Sequence, residues 1–218
     1  MTIHVGATVE RPPGPKYTAA LSFAELTFPS SWPKHNTLAK WKATAPELRC
    51  ALVAPRGVTH SEKGVFRFDD ELEERIAWFV GALEALDADA VIPTGSDLTT
   101  SQRDRDRFAA FLERLPRRDT RHIVWAPKGL WTTELSAPFG RKLGIVCAFD
   151  PLQDEAAPTG SVGYARLKAL GGRQRFSEGL LFDIVDAMAQ LEYAESFVAL
   201  ESERSFQEAS RLRQLWTE

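Results

Sequence analysis

Leu143-Gly144-Ile145-Val146-Cys147-Ala148-Phe149 is apolar at nearly every position, and Cys50-Ala51-Leu52-Val53-Ala54 repeats that character much earlier in the chain. A strand with one wet face alternates apolar and polar residues. A run that is apolar throughout belongs to a parallel sheet covered on both sides. Working outward from these two runs, strands are predicted at residues 3–7, 21–28, 49–55, 90–94, 122–127, 143–149, 161–168 and 196–201. Amphipathic stretches separate many of them. Leu72, Ile76, Phe79, Val80 and Leu83 recur at helical spacing behind Asp70 and Glu73, which resemble a capping box. Phe108, Phe111, Leu112 and Leu115 form a second stripe. Leu180, Leu181, Ile184, Val185 and Met188 form a third, with Ser177 as its N-cap. A last helix carries Phe206, Leu212 and Leu215, and a short one at 37–44 carries Leu38 and Trp41.

Eight strands joined mostly by helices fit a (β/α)8 TIM-like barrel, a fold that takes about 250 residues and can be as small as about 200. The chain has 218 residues, so one or two helices are expected to be short or missing, the poorly periodic segment 129–142 among them. An open doubly wound sheet is the rival, and it lacks a glycine-rich phosphate loop after the first strand. Neither a repeat nor a linker divides residues 1–218, which reads as a single domain. The Pro-rich piece Arg11-Pro12-Pro13-Gly14-Pro15 reads as a stiff surface loop.

The composition is 44% hydrophobic and 26% charged, with 27 Lys and Arg against 30 Asp and Glu and a formal net charge of -3. That is the make-up of a globular protein with no basic field to hold nucleic acid or an anionic membrane. The first residues lack a secretory pattern and no apolar run reaches the roughly 18 residues of a membrane span, so a cytoplasmic protein is expected. Cys50 and Cys147 sit inside strands and read as buried thiols instead of a disulfide. Of the six tryptophans, Trp41 and Trp78 are expected in the core, and Trp32, Trp125 and Trp131 in loops or at the barrel mouth.

The segment Thr37-Leu38-Ala39-Lys40-Trp41, through Thr44-Ala45-Pro46-Glu47, to Ala54-Pro55-Arg56-Gly57-Val58-Thr59-His60 resembles, without a gap, the hallmark of the YecE-like family (domain of unknown function 72). Thr27-Phe28 is similar to the end of that family's Glu-x-Asn-x-Thr-Phe-Tyr strand, and Tyr164-Ala165-Arg166-Leu167 to its Tyr-x-Arg-x-His strand. The resemblance implies a TIM barrel and no specific reaction. Phe23 stands in place of the family's Glu, Glu25 of its Asn, Val53 of its Lys and Lys168 of its His. The fifth strand ends Trp125-Ala126-Pro127 where the family has Glu-x-Arg. Much of the polar mouth expected of that family is therefore replaced.

A TIM barrel gathers its site at the carboxyl ends of the strands. Those ends carry Glu25, Thr27, His60, Ser96, Asp97, Trp125, Lys128, Asp150, Arg166, Lys168 and Glu201. Glu25, His60 and Glu201 are the candidate acids and bases. Thr27, Asp97, Trp125, Lys128, Arg166 and Lys168 are the candidate ligand-binding residues. Arg166 and Lys168 alternate on one strand and share a face. Inside a barrel they need an anionic partner, which is either Glu25 or Glu201 or a bound anion. A divalent ion held by His60 with Glu25, Asp97, Asp150 or Glu201 is a weaker reading, because no two of the four histidines have a ligand spacing; no metal or other cofactor is expected. Arg114, Arg117, Arg118 and Arg121 concentrate positive charge without an aromatic platform, which disfavours nucleic acid as the partner. The expected function is binding of a small anionic ligand or a protein partner. The alternative is a small hydrolase or isomerase acting on a phosphorylated or sugar-like substrate.

Overall fold

A computed structural model describes residues 2–172 and 174–217. Its elements run β1 (Thr2–Val9), α1 (Pro15–Ala20), β2 (Phe23–Leu26), α2 (His35–Thr44), β3 (Arg49–Val53) and α3 (Arg56–Thr59). They continue with β4 (His60–Ser61), β5 (Gly64–Val65), α4 (Asp70–Leu86), β6 (Ala88–Pro93), α5 (Gln102–Leu112) and β7 (Ile123–Ala126). The chain finishes with α6 (Thr133–Leu143), β8 (Val146–Phe149), β9 (Val162–Lys168), α7 (Glu178–Ala189), β10 (Glu195–Glu201) and α8 (Ser205–Leu215). Eight strands close a barrel in the order β1-β10-β9-β8-β7-β6-β3-β2, and β4 and β5 form a separate two-stranded hairpin. Every barrel pairing is parallel, with β1 joined to β10 from Thr2↔Glu195 to Ala7↔Leu200. All eight predicted strands are in the ring, and the open-sheet rival is excluded.

The shortened connections fall where the ring economises on helix. α1 spans 6 residues and α3 spans 4. β8 runs into β9 through residues 150–161, which form no helix. The weakly periodic segment does fold as a helix, α6, despite Pro138 inside it. It approaches the barrel closely because Gly140 offers no side chain: a Cβ there would sit 2.4 Å from the Cys147 sulfur.

Several local expectations shift. The α4 N-cap is Asp69, whose carboxylate accepts from the Leu72 amide at 2.9 Å, so the cap lies one residue before Asp70. Pro15 starts α1 at its first position, where a missing amide hydrogen costs nothing, instead of closing a loop. Leu143 ends α6, and the strand after it begins only at Val146. Ser177 caps α7 as expected, accepting from the Leu180 amide. The tryptophan assignment changes in part: Trp32 lies partly buried in a loop as expected, but Trp125 and Trp131 are buried, whereas Trp41 and Trp78, expected in the core, are only partly buried on the outer layer.

Two cores result. The larger lies between barrel and helices and takes one face of each strand. The smaller fills the ring and includes Phe23, Ala51, Val53, Val91, Val124, Ala126, Tyr164, Phe197 and Ala199. Phe23, Tyr164 and Phe197 meet at its centre, with ring centroids 5.3–6.1 Å apart. Gly6 makes room for this plug, since a Cβ on it would lie 2.3 Å from the Phe23 carbonyl oxygen and 2.7 Å from its ring. Below the plug the floor is polar. Arg49 donates twice to Asp89 at 2.9 Å, and Glu195 lies 3.1 Å from His4 Nε2 and 3.3 Å from His122 Nε2. Burial raises the Glu195 carboxyl, but the hydrogen bond to His122 and the charges of Arg49, His122 and His4 outweigh it and hold the carboxyl below its ordinary value.

Phe23 is 0% exposed, so Phe23→Ala is expected to open a cavity in the plug and to destabilise by about 3–5 kcal/mol in urea unfolding. A loss below about 1 kcal/mol would show that the plug does not carry the barrel's interior packing.

Candidate functional site

Alternation along the strands places Thr8, Glu25, Arg166, Lys168 and Glu201 at the carboxyl end of the ring, above the aromatic plug. Glu25 Oε1 accepts from the Thr8 hydroxyl at 2.9 Å and from Arg166 Nε at 2.9 Å. Its Oε2 accepts from the Tyr164 hydroxyl at 2.9 Å and from Arg166 Nε at 3.1 Å. Arg166 Nη2 then lies 3.5 Å from Glu201, whose other oxygen is 2.5 Å from Lys168 Nζ. Four charges of alternating sign thus climb from interior to solvent. Side-chain exposure rises from 0% at Glu25 through 18% at Arg166 and 33% at Glu201 to 59% at Lys168.

A carboxylate with no contact to water is expensive unless its oxygens are occupied. Glu25, on β2, meets that condition with three donor groups, one from the adjacent β1 and two from β9 across the ring. The Glu25 charge raises the Arg166 guanidinium further above its ordinary value despite burial. Burial, followed by the Glu25 charge, pushes the Tyr164 phenol well above its own. Tyr164 therefore stays a donor and Arg166 stays a cation.

Two clefts open over this ladder. One, of about 550 Å³, is lined by Thr8, Glu10, Thr27, Gln174, Ser202 and Glu203 together with Arg166, Lys168 and Glu201. The other, of about 430 Å³, shares those last three residues and adds Lys128, Asp150, Gln153, Asp154 and Leu170. The Lys168–Glu201 ion pair therefore stands between them. In the second cleft Asp150 is half-buried at the end of β8, and its carboxyl is raised above the ordinary value by burial, with the Asp154 charge adding to the effect. Its oxygens accept from the Leu152 amide and the Gln153 side chain, both at 2.9 Å.

Of the residues expected at the mouth, Glu25, Thr27, Lys128, Arg166, Lys168 and Glu201 are there. His60 and Asp97 are not part of this cluster. They pair with each other at 2.5 Å, on β4 and in the loop after β6, and His60 Nδ1 lies 2.8 Å from the Thr59 hydroxyl. Trp125 faces the opposite way. It is 0% exposed and packs against Phe108, Trp131 and Phe139 in the helix layer, donating to the Thr94 hydroxyl at 2.9 Å. Parity is the physical reason: on β7 Val124 and Ala126 face the ring, so Trp125 between them faces out. Thr8, Gln174 and Ser202 were not foreseen. The alternation of β1 could have yielded Thr8, since Gly6 and Thr8 share a face; Gln174 and Ser202 lie in loops that carry no such signal. Among the described residues no three His, Cys, Asp or Glu side chains are grouped so as to hold a metal ion. The two thiols are buried, and burial raises Cys50 to about 11 and Cys147 to about 12, which removes them as nucleophiles. Among the described residues no helix is long and apolar enough to cross a membrane.

Among solved structures, the chain is similar to a DUF72 family protein from Thermotoga maritima MSB8, with 16% identity, all of both chains covered and a TM-score of 0.73. A DUF72 family protein from Enterococcus faecalis V583 gives 13% identity, 100% and 98% coverage and a TM-score of 0.68. A D-psicose 3-epimerase gives 11% identity, 99% and 98% coverage and a TM-score of 0.58. These likenesses establish a DUF72-like TIM-barrel architecture over the length of the chain. No protein-family model matches the sequence, and no curated protein matches it.

Removing one partner of a buried ion pair strands the other, at about 3–5 kcal/mol. Arg166→Ala is accordingly expected to lower unfolding stability by that amount, and Arg166→Met combined with Glu25→Gln to recover most of it; equal losses in the two would dismiss the pair as the anchor of the mouth. A second expectation concerns Asp97. Burial raises its carboxyl, but the hydrogen bond and charge of His60 and the charge of Arg56 bring it below its ordinary 3.8. A lowered folded-state pKa contributes stability that is present above the unfolded value and lost as pH falls through the folded one. The gap in melting temperature between wild type and His60→Ala should therefore hold steady near pH 5 and shrink below about pH 4; a gap that widens on acidification contradicts the pairing.

Proposed function

We propose that the chain is a divergent YecE-like barrel that binds a small ligand at the carboxyl-end mouth, and that this ligand is uncharged and rich in hydroxyl groups. The supporting observation is the self-neutralised ladder. Glu25 with Arg166, and Glu201 with Lys168, pair off within the protein, so an anion arriving at Arg166 has to displace a carboxylate already in place. The larger cleft presents Thr8, Thr27, Gln174 and Ser202 beside Glu10 and Glu203. Hydroxyls, an amide and carboxylates accept and donate to neutral hydroxyl groups without any net-charge requirement. Glu25 is a positioning residue in this reading: it is enclosed, and both its oxygens are occupied, so it is not available to exchange protons with a ligand.

One observation favours a catalytic reading, namely the half-buried Asp150 in the second cleft. A carboxyl raised by burial and set in a cleft beside cations is the environment of an acid–base group. In that version the barrel is an isomerase or hydrolase of a sugar-like substrate, and Asp150 replaces Glu25 and His60 as the proton-transfer residue.

Saturation-transfer NMR with neutral sugars and sugar alcohols, run beside the corresponding sugar phosphates and sugar acids, tests the proposal. Neutral members should receive transfer, and Thr27→Val combined with Gln174→Ala should reduce it severalfold with little change in melting temperature. Preferential binding of the phosphates or acids at this mouth, lost in Lys168→Ala, would replace the neutral ligand by an anion. Turnover of any bound sugar that disappears in Asp150→Asn would establish the catalytic version.

A further inference from the structure

The opposite end of the barrel carries a feature the mouth does not use. Two cavities, of about 200 and 280 Å³, adjoin along the amino-terminal ends of β7, β8 and β9, and both are lined by His122, Gly144 and Val146. The first adds Arg117, Arg118 and Arg121, with Asp119 as its lining carboxylate. The second adds Arg141 and the hydroxyl residues Thr159 and Ser161, and among the described residues no carboxylate lines it. Four guanidinium groups therefore border one short groove in a chain whose net charge is -3.

These arginines are held in place. Arg118 and Arg121 form the ends of one tight turn, the Arg121 amide donating to the Arg118 carbonyl at 3.3 Å. Both reach Asp87, and Arg118 also lies 3.7 Å from Glu84. Arg121 Nε lies 2.7 Å from the Asp87 carbonyl and 3.1 Å from Oδ1, and Arg118 Nη1 lies 3.5 Å from Oδ1. Asp87 is itself pinned in the left-handed conformation, φ 47°, as the C-cap of α4. Arg117 donates to the Leu143 carbonyl at the end of α6, at 3.0 Å, and among the described residues it has no carboxylate partner. Arg118 and Arg121 are largely satisfied by Asp87, Glu84 and the Thr120 carbonyl, so the spare charge and N–H donors of the groove lie on Arg117, anchored only to a carbonyl, and on Arg141, which lines the adjoining cavity. Arginines oriented beforehand by fixed acceptors bind phosphate without first losing rotamer freedom.

We infer that this groove is a second binding site, for the phosphate group of a small phosphorylated molecule, held by Arg117 and Arg141 with Ser161, while Arg118 and Arg121 border it as fixed cations. The small volume of the two cavities and the chain's net negative charge favour a small phosphate ester over a long nucleic-acid backbone. The inference is independent of the ligand proposed at the mouth, because it draws on residues at the other end of the ring.

Isothermal titration of the full chain with inorganic phosphate and with pyrophosphate is the test, with a single-stranded oligothymidylate as a separate arm. Pyrophosphate is expected to bind more tightly than phosphate. Arg117→Ala with Arg141→Ala, both exposed side chains, should weaken it at least tenfold while leaving the melting temperature unchanged. Lys168→Ala at the mouth should leave the affinity unaltered, which separates this site from the proposed one. No heat of binding at millimolar pyrophosphate, or affinity unchanged in the double variant, would overturn the inference. So would loss of binding in Lys168→Ala, or binding confined to the oligonucleotide and increasing with its length.

Discussion

Glu25 is a charge sealed inside a barrel, and the mouth is arranged around keeping it there. Its two oxygens take a hydroxyl from β1, a phenol from β9 and a guanidinium from β9, so three of the eight strands are tied at one point. The tie also orients Arg166, whose far end then engages Glu201 and, through it, Lys168. Breaking such a pair leaves an uncompensated buried ion, whereas replacing both members by apolar groups is often tolerated. The arrangement is thus best understood as a means of positioning groups, and the ladder it starts is what shapes the two clefts.

The aromatic plug explains why the clefts are shallow features of the mouth and do not continue into a channel. Phe23, Tyr164 and Phe197 fill the ring directly beneath Glu25, so a ligand meets the tops of the strands and the loops beyond them. Tyr164 belongs to both layers, packing its ring in the plug and sending its hydroxyl to Glu25. With Phe23 in this layer, the polar groups of the mouth lie farther out, at Thr8, Thr27, Asp150 and the loops.

The two ends of the barrel divide charge differently. At the carboxyl end, cations and anions alternate and cancel. At the amino end, the helix termini carry partial negative charge, and arginines gather there on the last carbonyl of α6 and on the residue that caps α4. The structural role of these arginines and the excess positive charge in the groove have the same origin.

Much of the fold was legible in the chain because its signal is local. Continuous apolar runs mean doubly covered parallel strands, and helical periodicity lies between many of them; all eight ring strands follow from this. The carboxyl-end candidates Glu25, Arg166, Lys168 and Glu201 were likewise readable, because strand order and parity alone place them. Other features were decided only by tertiary structure. Trp125 is large and near a strand end, yet its neighbours Val124 and Ala126 claim the interior, and one residue of parity turns it into the helix layer. His60 sits on the small hairpin and Asp97 in the loop after β6, segments whose paths depend on what they pack against, and they satisfy each other away from the mouth. The pairing of Glu25 with Arg166, 141 positions apart, depends on closure of the ring, and no local pattern encodes which buried charge meets which.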